Sequence, residues 1–490
     1  MENAEKIATR HVLLLTCNGI GHINPALTLA TKLASMGLSI TLVVPDAASF
    51  SLVASTDFQG LPITLTKLPL QDHGQEEQHQ QGWTMEGLRV AVRSGYEWPS
   101  DYSRQKIALA ALLEELKVSS SSPCCVIVDM ILNWSEELLV KTGLPRFILY
   151  PAAPNYLALS LHARSLYRKK LLPVKFPGFE TMKVEGLLPL YRRDVPDAMT
   201  DDGHCLYPLH MGFNEHIISS DGILFNSFTE LEPELFKALA ESFEEIKHHE
   251  LLPIGPLFPS KYFTPDALNA TKESSVLRSS EEERCQSWLD EQPVESVLYV
   301  SFGSWALLTP RQICELALGL EASQQRFLWV VPVENKSIEE LEALLPEGFL
   351  KRTEERGLVL PGWAPQHLIL AHSSLGGFLT HCGWNSTLEV ITLAGVPVIG
   401  WPFLADQPPI CRYLVDGLGI GAEVLGDDDG FVDRDEVERG VREIMESPRA
   451  EGMKSRAKEL QAKARRAVAQ GGSSQKNLEA FVARIKSLLV

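Results

Sequence analysis

The chain has 490 residues, 45% of them hydrophobic, a globular composition and too long for one ordinary core, so two or three domains are expected. A formal charge of −18 argues against nucleic acid or an anionic membrane as partners, yet leaves room for a small anion held by a local helix terminus. Eight cysteines are scattered without a CxxC pair, and only Cys124 and Cys125 are adjacent, which reads as reduced cytosolic thiols and not as a disulfide frame or zinc site.

The opening MENAEKIATRH has acids and no apolar leader core, and no apolar run reaches the length of a membrane span. Residues 11–16 are a buried strand. The turn CNGIG follows, then His22, with Asn24 as a helix cap and Pro25 at the first helical position. Leu27, Ala30, Thr31 and Ala34 share a helical face that Gly37 ends. Residues 38–44 are the next strand. This opens a doubly wound α/β domain, whose crevice lies at the carboxyl ends of strands. His22 sits at its mouth, either bonding loop backbone or facing a substrate. Residues 123–129 form another buried strand that ends in Asp129. In a parallel sheet two strand ends can lie side by side, so His22 and Asp129 can pair. A carboxylate on one imidazole nitrogen leaves the other as a base. The bland alternative for Asp129 is a helix cap.

Residues 71–86 are polar and glutamine-rich, a loop in which His73 and His79 lack metal-ligand spacing. Residues 171–202 are irregular, with four prolines. Residues 222–227 are a strand, and a helix begins near residues 230–234. Residues 252–257 break regular structure, and 258–281 are polar without a clear period, so the domain boundary is placed near 250–256. The α/β pattern then restarts. Residues 296–302 are a strand, with Gly303 and Ser304 at an end where a hydroxyl can meet phosphate. Thr309 and Pro310 start a helix, and residues 326–331 are the next strand. The acids of residues 427–429 and 433–435 suggest a metal less well than they suggest a helix start, where the dipole favours them. Beyond the break at Gly471, Leu478, Phe481, Ile485 and Leu488 form an apolar helical stripe.

The stretch 363–407 reads WAPQHLILAHSSLGGFLTHCGWNSTLEVITLAGVPVIGWPFLADQ. Residues 376–380 are a short apolar strand. Residues 381–384 turn, with Gly383 free to take an unusual φ. Asn385 and Ser386 sit where a helix wants its cap, and Gly395 where it should stop. Such a helix start is a natural phosphate site. Asn385 and Ser386 share a face with Glu389, which would reach a neighbouring ribose. Trp363 can stack on a base or belong to the core, Pro365 suits a first helical turn, and Gln366 can bond a ribose or base edge.

These residues at this spacing closely resemble the plant secondary product glycosyltransferase box of family 1 UDP-dependent glycosyltransferases. Trp363, Ala364, Pro365, Gln366, His381, Cys382, Gly383, Trp384, Asn385, Ser386, Glu389, Gly395, Pro397, Asp406 and Gln407 all match. One residue is extra between Glu389 and Gly395. It should lengthen or bulge the helix end, and it weakens the placement of Asp406 and Gln407.

The resemblance implies a GT-B fold of two facing doubly wound Rossmann-like domains with an interdomain cleft. Residues 1–252 would bind acceptor, residues 253–470 would bind UDP-sugar, and a final helix in 471–490 would pack back on the first domain. It implies His22 as base with Asp129 as its partner. It implies uracil stacking on Trp363 and ribose held by Gln366 and Glu389. The leaving UDP would meet Ser304, His381, Asn385 and Ser386, sugar would meet Trp384, Asp406 and Gln407, and Ala364 and Gly383 are further donor-binding residues. Trp83, Tyr96, Tyr150, Tyr156 and Phe213 are candidate acceptor walls, each also suited to the core.

The expected activity is inverting transfer of glucose from UDP-glucose to a hydroxyl of a small lipophilic acceptor of flavonoid, phenolic or terpenoid type. Neither a cofactor nor a metal is expected, and the resemblance is to the soluble, cytoplasmic, monomeric plant branch. The alternatives are a C-glycosyltransferase, whose product would resist acid hydrolysis, a UDP-sugar epimerase, and a non-catalytic UDP-sugar-binding protein.

Overall fold

Short runs of Val, Ile, Leu and Phe, apolar on both faces, are what a parallel sheet covered by helices requires. The computed structural model describes residues 10–45, 47–54, 56, 58–68, 102–118, 122–171, 181–201, 203–204, 207–259, 280–303, 308–331, 338–427 and 430–488. The expectations for His73, His79, Trp83, Tyr96 and Ser304 lie outside these residues. By contacts the chain divides into two compact units, one of Met1–Pro189, Asp197–Phe258 and Ala467–Val490, the other of Leu190–Pro196 and Pro259–Arg466.

The first unit holds a seven-stranded sheet of β1 (His11–Leu15), β2 (Ser39–Val44), β3 (Ile63–Lys67), β4 (Cys125–Asp129), β5 (Arg146–Tyr150), β6 (Gly222–Phe225) and β7 (Glu250–Pro253), in the order β3-β2-β1-β4-β5-β6-β7. All pairings are parallel. The chain runs outward from β1 to β3, then returns to place β4 on the other side of β1, which makes β1/β4 the switch point. The helix Ser473–Ser487 packs on this unit. Phe481 meets Phe147 edge-on at 4.9 Å, Ser474 donates to the Gly255 carbonyl at 2.6 Å, and Asn477 donates to the Pro253 carbonyl at 2.8 Å.

The stretch read as irregular near residue 252 contains β7, and Pro253 is tolerated because β7 is an edge strand, paired on one side only. The helix after β1 starts at Ile20, not at Pro25. The Gly19 carbonyl accepts the N–H groups of His22 and Ile23, both at 2.8 Å, and so closes the first turn early. His22 is thereby fixed in a helical first turn instead of a loop.

The second unit holds β8 (Val297–Ser301), β9 (Arg326–Val331), β10 (Gly357–Pro361), β11 (Leu375–Thr380), β12 (Val398–Gly400) and β13 (Gly421–Glu423), ordered β10-β9-β8-β11-β12-β13 and parallel throughout. Its switch point is β8/β11. The helix Pro310–Ser323 is capped as expected, with Thr309 Oγ1 accepting from the Gln312 N–H at 3.2 Å. Asp433 caps Arg434–Met445 in the same way, accepting from Glu436 at 2.9 Å, and Asp427 accepts from the Phe431 N–H at 2.9 Å. These acids are thus engaged with backbone. Leu190–Pro196 groups with this unit although it lies in the first half of the sequence. Arg412 stacks on the Tyr191 ring at 4.7 Å and pairs with Asp194 at 3.7 Å.

Candidate active site

At the β1/β4 switch point two side chains meet. Asp129 ends β4 and is 0% exposed. His22 lies in the first helical turn after β1, and its Nδ1 is 2.8 Å from Asp129 Oδ2 and 3.0 Å from Oδ1. The carboxylate also accepts the Ile131 N–H at 3.1 Å, which fixes its plane. The His22 side chain keeps 25% of its surface exposed. Burial pulls the imidazole pKa down, but the Asp129 charge, the Cys17 thiol and the hydrogen bonds outweigh it, so His22 titrates well above the ordinary 6.5. With Nδ1–H given to Asp129, Nε2 carries the lone pair. The pair therefore has the tautomer, the buried counter-charge and the access of a general base. Gly19 makes room for it, since a Cβ there would stand 3.3 Å from His22 Cδ2.

At the β8/β11 switch point the turn after β11 is His381-Cys382-Gly383. The unusual φ falls on Cys382, at +64°, and not on Gly383, whose φ is −62°. Gly383 is required for space, because a Cβ there would lie 2.4 Å from His381 Nε2, and one on Gly303 would lie 2.9 Å from His381 Cε1. The imidazole is thus held between two glycines. Burial lowers its pKa to about 4, so it is neutral near pH 7, and its Nδ1 has no partner among the described residues.

The helix begins at Trp384 with Gly383 as its cap. Asn385 and Ser386 are therefore inside the first turn, a correction to the expected cap. The Thr387 N–H bonds the Gly383 carbonyl at 2.9 Å, so residues 384–386 form the turn whose N–H groups precede the helical ladder. The Trp384 ring is buried in the core, which leaves its backbone as the part suited to a ligand.

Gln366, Ser386 and Glu389 come together as the spacing suggests. Gln366 Nε2 donates to Glu389 Oε2 at 2.6 Å and to Ser386 Oγ at 3.1 Å, and Tyr299 donates to Gln366 Oε1 at 3.3 Å. His367 Nε2 meets Glu389 Oε1 at 2.8 Å. Tyr299 and His367 escaped the sequence reading. The first comes from β8, far away in sequence, whereas the second stands beside Gln366 inside the motif. Trp363 is 55% exposed, Ala364 is buried, and Pro365 is the N-cap of Gln366–Leu370, not its first residue.

The extra residue is absorbed as a π turn, Val390–Ala394, closed by the Gly395 N–H on the Val390 carbonyl at 2.8 Å. Gly395 then ends the helix at φ +61°, as expected. Carbonyls loosened by the wider turn are met by Gln461, 2.7 Å from Leu393 O, and Arg465, 3.1 Å from Thr392 O. Downstream register survives, with Thr380 opposite Gly400. Asp406 holds the N-cap position of the helix Gln407–Arg412 without a side-chain cap bond. Gln407 is buried, its Oε1 accepting from the N–H groups of Phe403 at 2.9 Å and Leu404 at 3.1 Å.

Of the described acceptor candidates, Tyr150 is 1% exposed and packs on Phe225, a core position. Tyr156 and Phe213 are buried around His210, which the sequence reading missed. The Tyr156 hydroxyl is 3.2 Å from His210 Nδ1, and Phe213 meets the imidazole edge-on at 5.9 Å. Burial lowers His210 to about 4.

The profile of the family described as UDP-glucoronosyl and UDP-glucosyl transferase matches residues 151–424. UDP-glycosyltransferase 72B1 of Arabidopsis thaliana is 33% identical over 99% of this chain and 98% of its own length. Hydroquinone glucosyltransferase of Rauvolfia serpentina is 30% identical over 96% of each chain. Among solved structures, UGT2 of Phytolacca americana complexed with UDP-2fluoro-glucose and pterostilbene is 28% identical and superimposes with a TM-score of 0.80 over 98% of this chain and 100% of its own. The box, the two switch-point turns and these full-length likenesses agree: the chain belongs to the plant family 1 UDP-glycosyltransferases.

Proposed function

We propose that this glycosyltransferase moves glucose from UDP-glucose to a hydroxyl of a small phenolic acceptor with inversion, His22 acting as base and Asp129 as its orienting partner, without a metal. The observation that carries the reading is the His22–Asp129 pair, with its Nδ1 bound at 2.8 Å and its imidazole partly exposed. In the reaction His22 Nε2 takes the acceptor O–H proton as the oxygen forms its bond to the anomeric carbon. The bond from that carbon to the UDP oxygen breaks, and the electron pair leaves with UDP. Base assistance of this kind contributes about 10²–10⁴-fold. The charge growing on UDP is opposed by the helix start at residues 384–386 and by a neutral His381 acting as a hydrogen-bond donor.

Trp363 is exposed and so suits a base, and the Gln366–Glu389 pair suits a ribose diol once the two side chains release each other. Gln407 and Asp406 are assigned to the sugar. The phenolic acceptor class follows the relatives, including the hydroquinone glucosyltransferase. The test is UDP release from UDP-glucose, with and without hydroquinone or phloretin, with mass spectrometry of the product. Acceptor-dependent release and an acid-labile monoglucoside are expected. Release that ignores the acceptor, or no product, would sink the reading, and an acid-stable product would assign C–C bond formation instead.

A further inference from the structure

The turn that presents the base carries a group that the transfer chemistry does not use. Cys17 stands five residues before His22 and is buried. Its Sγ, a ring nitrogen of His22 and a carboxylate oxygen of Asp129 all lie within 4.8 Å of one another. Ligand atoms about 2.0–2.3 Å from a tetrahedral zinc ion lie about 3.3–3.6 Å from each other, so the three groups close on an ion with a contraction of at most about 1.5 Å. Thiolate, imidazole and carboxylate are the donors zinc-type ions take, and three protein ligands with one open position describe an accessible site. Entry is past His22, the exposed member of the three.

We propose that Cys17, His22 and Asp129 capture a thiophilic divalent cation, Zn²⁺, Co²⁺ or Cd²⁺, and that capture switches transfer off. Binding breaks the Cys17 S–H and the His22 Nδ1–H bonds: the thiol proton goes to solvent, the imidazole proton moves to Nε2, and sulfur–metal and Nδ1–metal bonds form with no change of oxidation state. With Nδ1 on the metal and a proton on Nε2, the imidazole can no longer take the acceptor proton. Mg²⁺ and Ca²⁺, which prefer all-oxygen shells, compete poorly for such a set. The inhibitory half rests on His22 being the base, while the binding half does not.

The experiment adds Co²⁺ to the metal-stripped full-length protein and follows the thiolate-to-cobalt charge-transfer absorption, then measures Zn²⁺ inhibition of UDP release. One equivalent of cobalt should saturate the band, and Mg²⁺ should neither displace it nor inhibit. Cys17→Ser and Cys17→Ala should abolish the band and weaken Zn²⁺ inhibition by at least the roughly 10–100-fold that loss of an outer-shell partner costs. Unchanged UDP affinity in both variants reports that they are folded. No band, or a band or inhibition that survives both substitutions, overturns the site. A Cys17-dependent band without inhibition overturns the switch, whereas full metal-free activity in His22→Ala overturns the base reading alone.

Discussion

Each sheet places a strand–helix turn at its switch point, after β1 in the first and after β11, the counterpart of β4, in the second, and the two turns are built for opposite electrical tasks. After β1 the turn holds an imidazole against a fully buried carboxylate, which raises its proton affinity. After β11 the turn holds an imidazole between two glycines with no carboxylate on it among the described residues, and burial keeps it neutral. A second contrast lies in the carboxylates. Asp129 serves one side chain, His22, whereas Glu389 is shared by Gln366 and His367. The location is given by sheet topology. The chemistry is given by which partner the neighbouring strand supplies. The first turn suits proton transfer and the second suits anion binding.

Four substitutions and one treatment can break or sharpen this contrast. The largest effect belongs to His22→Ala, for which kcat should fall by about 10²–10⁴-fold while UDP affinity, measured by calorimetry, stays unchanged. A matching loss of UDP affinity would erase the division of labour. Next, Gly383→Ala puts a Cβ 2.4 Å from His381 Nε2 and should lower kcat/KM by about 10²-fold, chiefly through weaker UDP binding, because a displacement near 1 Å costs that much.

Asp129→Asn should slow transfer toward the ~10²-fold end of a base contribution and also move its pH profile. With the neutral imidazole as the proposed base, kcat/KM should fall as pH drops through the His22 pKa, which Asp129 holds above 6.5. Removing the carboxylate should shift that acid limb to lower pH, and an unmoved limb would assign it to another group. The same raised pKa means that the pair stabilises the fold fully below pH 6.5 and loses this as pH rises through the His22 value. Thermal melts of the wild type and Asp129→Asn should therefore differ most at low pH.

Glu389→Ala should raise the UDP-glucose KM roughly tenfold with little change in kcat, since one charged hydrogen bond is worth about 1.5–3 kcal/mol. A fall in kcat alone would place Glu389 in the chemistry. The smallest effect is expected from EDTA, under which steady-state UDP release should not decline. A full loss of activity would require a metal in transfer.

The sequence was most legible where function is local. Residues 363–407 point to the family from one stretch, because a helix start, an exposed tryptophan and a glutamate one turn along stand in it at fixed spacing. The extra residue before Gly395 was visible too, and so was its outcome as a bulge. What stayed hidden was set by nonlocal packing. Cap preferences put the first helix at Pro25, but the Gly19 carbonyl closed the turn at Ile20 and moved His22 into helix. Prolines near 253 hid β7, because whether a proline is tolerated depends on lying at a sheet edge, which a sequence does not display. Gly383 looked like a residue chosen for φ, yet it is needed for the room His381 takes.

No helix among the described residues is long and apolar enough to cross a membrane, in keeping with the composition. By itself the sequence determined the α/β class, the box and the identity of His22 and Asp129 as candidates, since periodicity, turn chemistry and motif spacing are properties of neighbouring residues. Only the tertiary structure decided that Nδ1 of His22 meets Asp129, that Cys17 stands beside them, and that Tyr299 and His367 complete the Gln366–Glu389 network. The His22–Asp129 contact joins β1 to β4 and the Tyr299–Gln366 contact joins β8 to the box, each across more than sixty residues, and such distances close only when parallel strands pair in register.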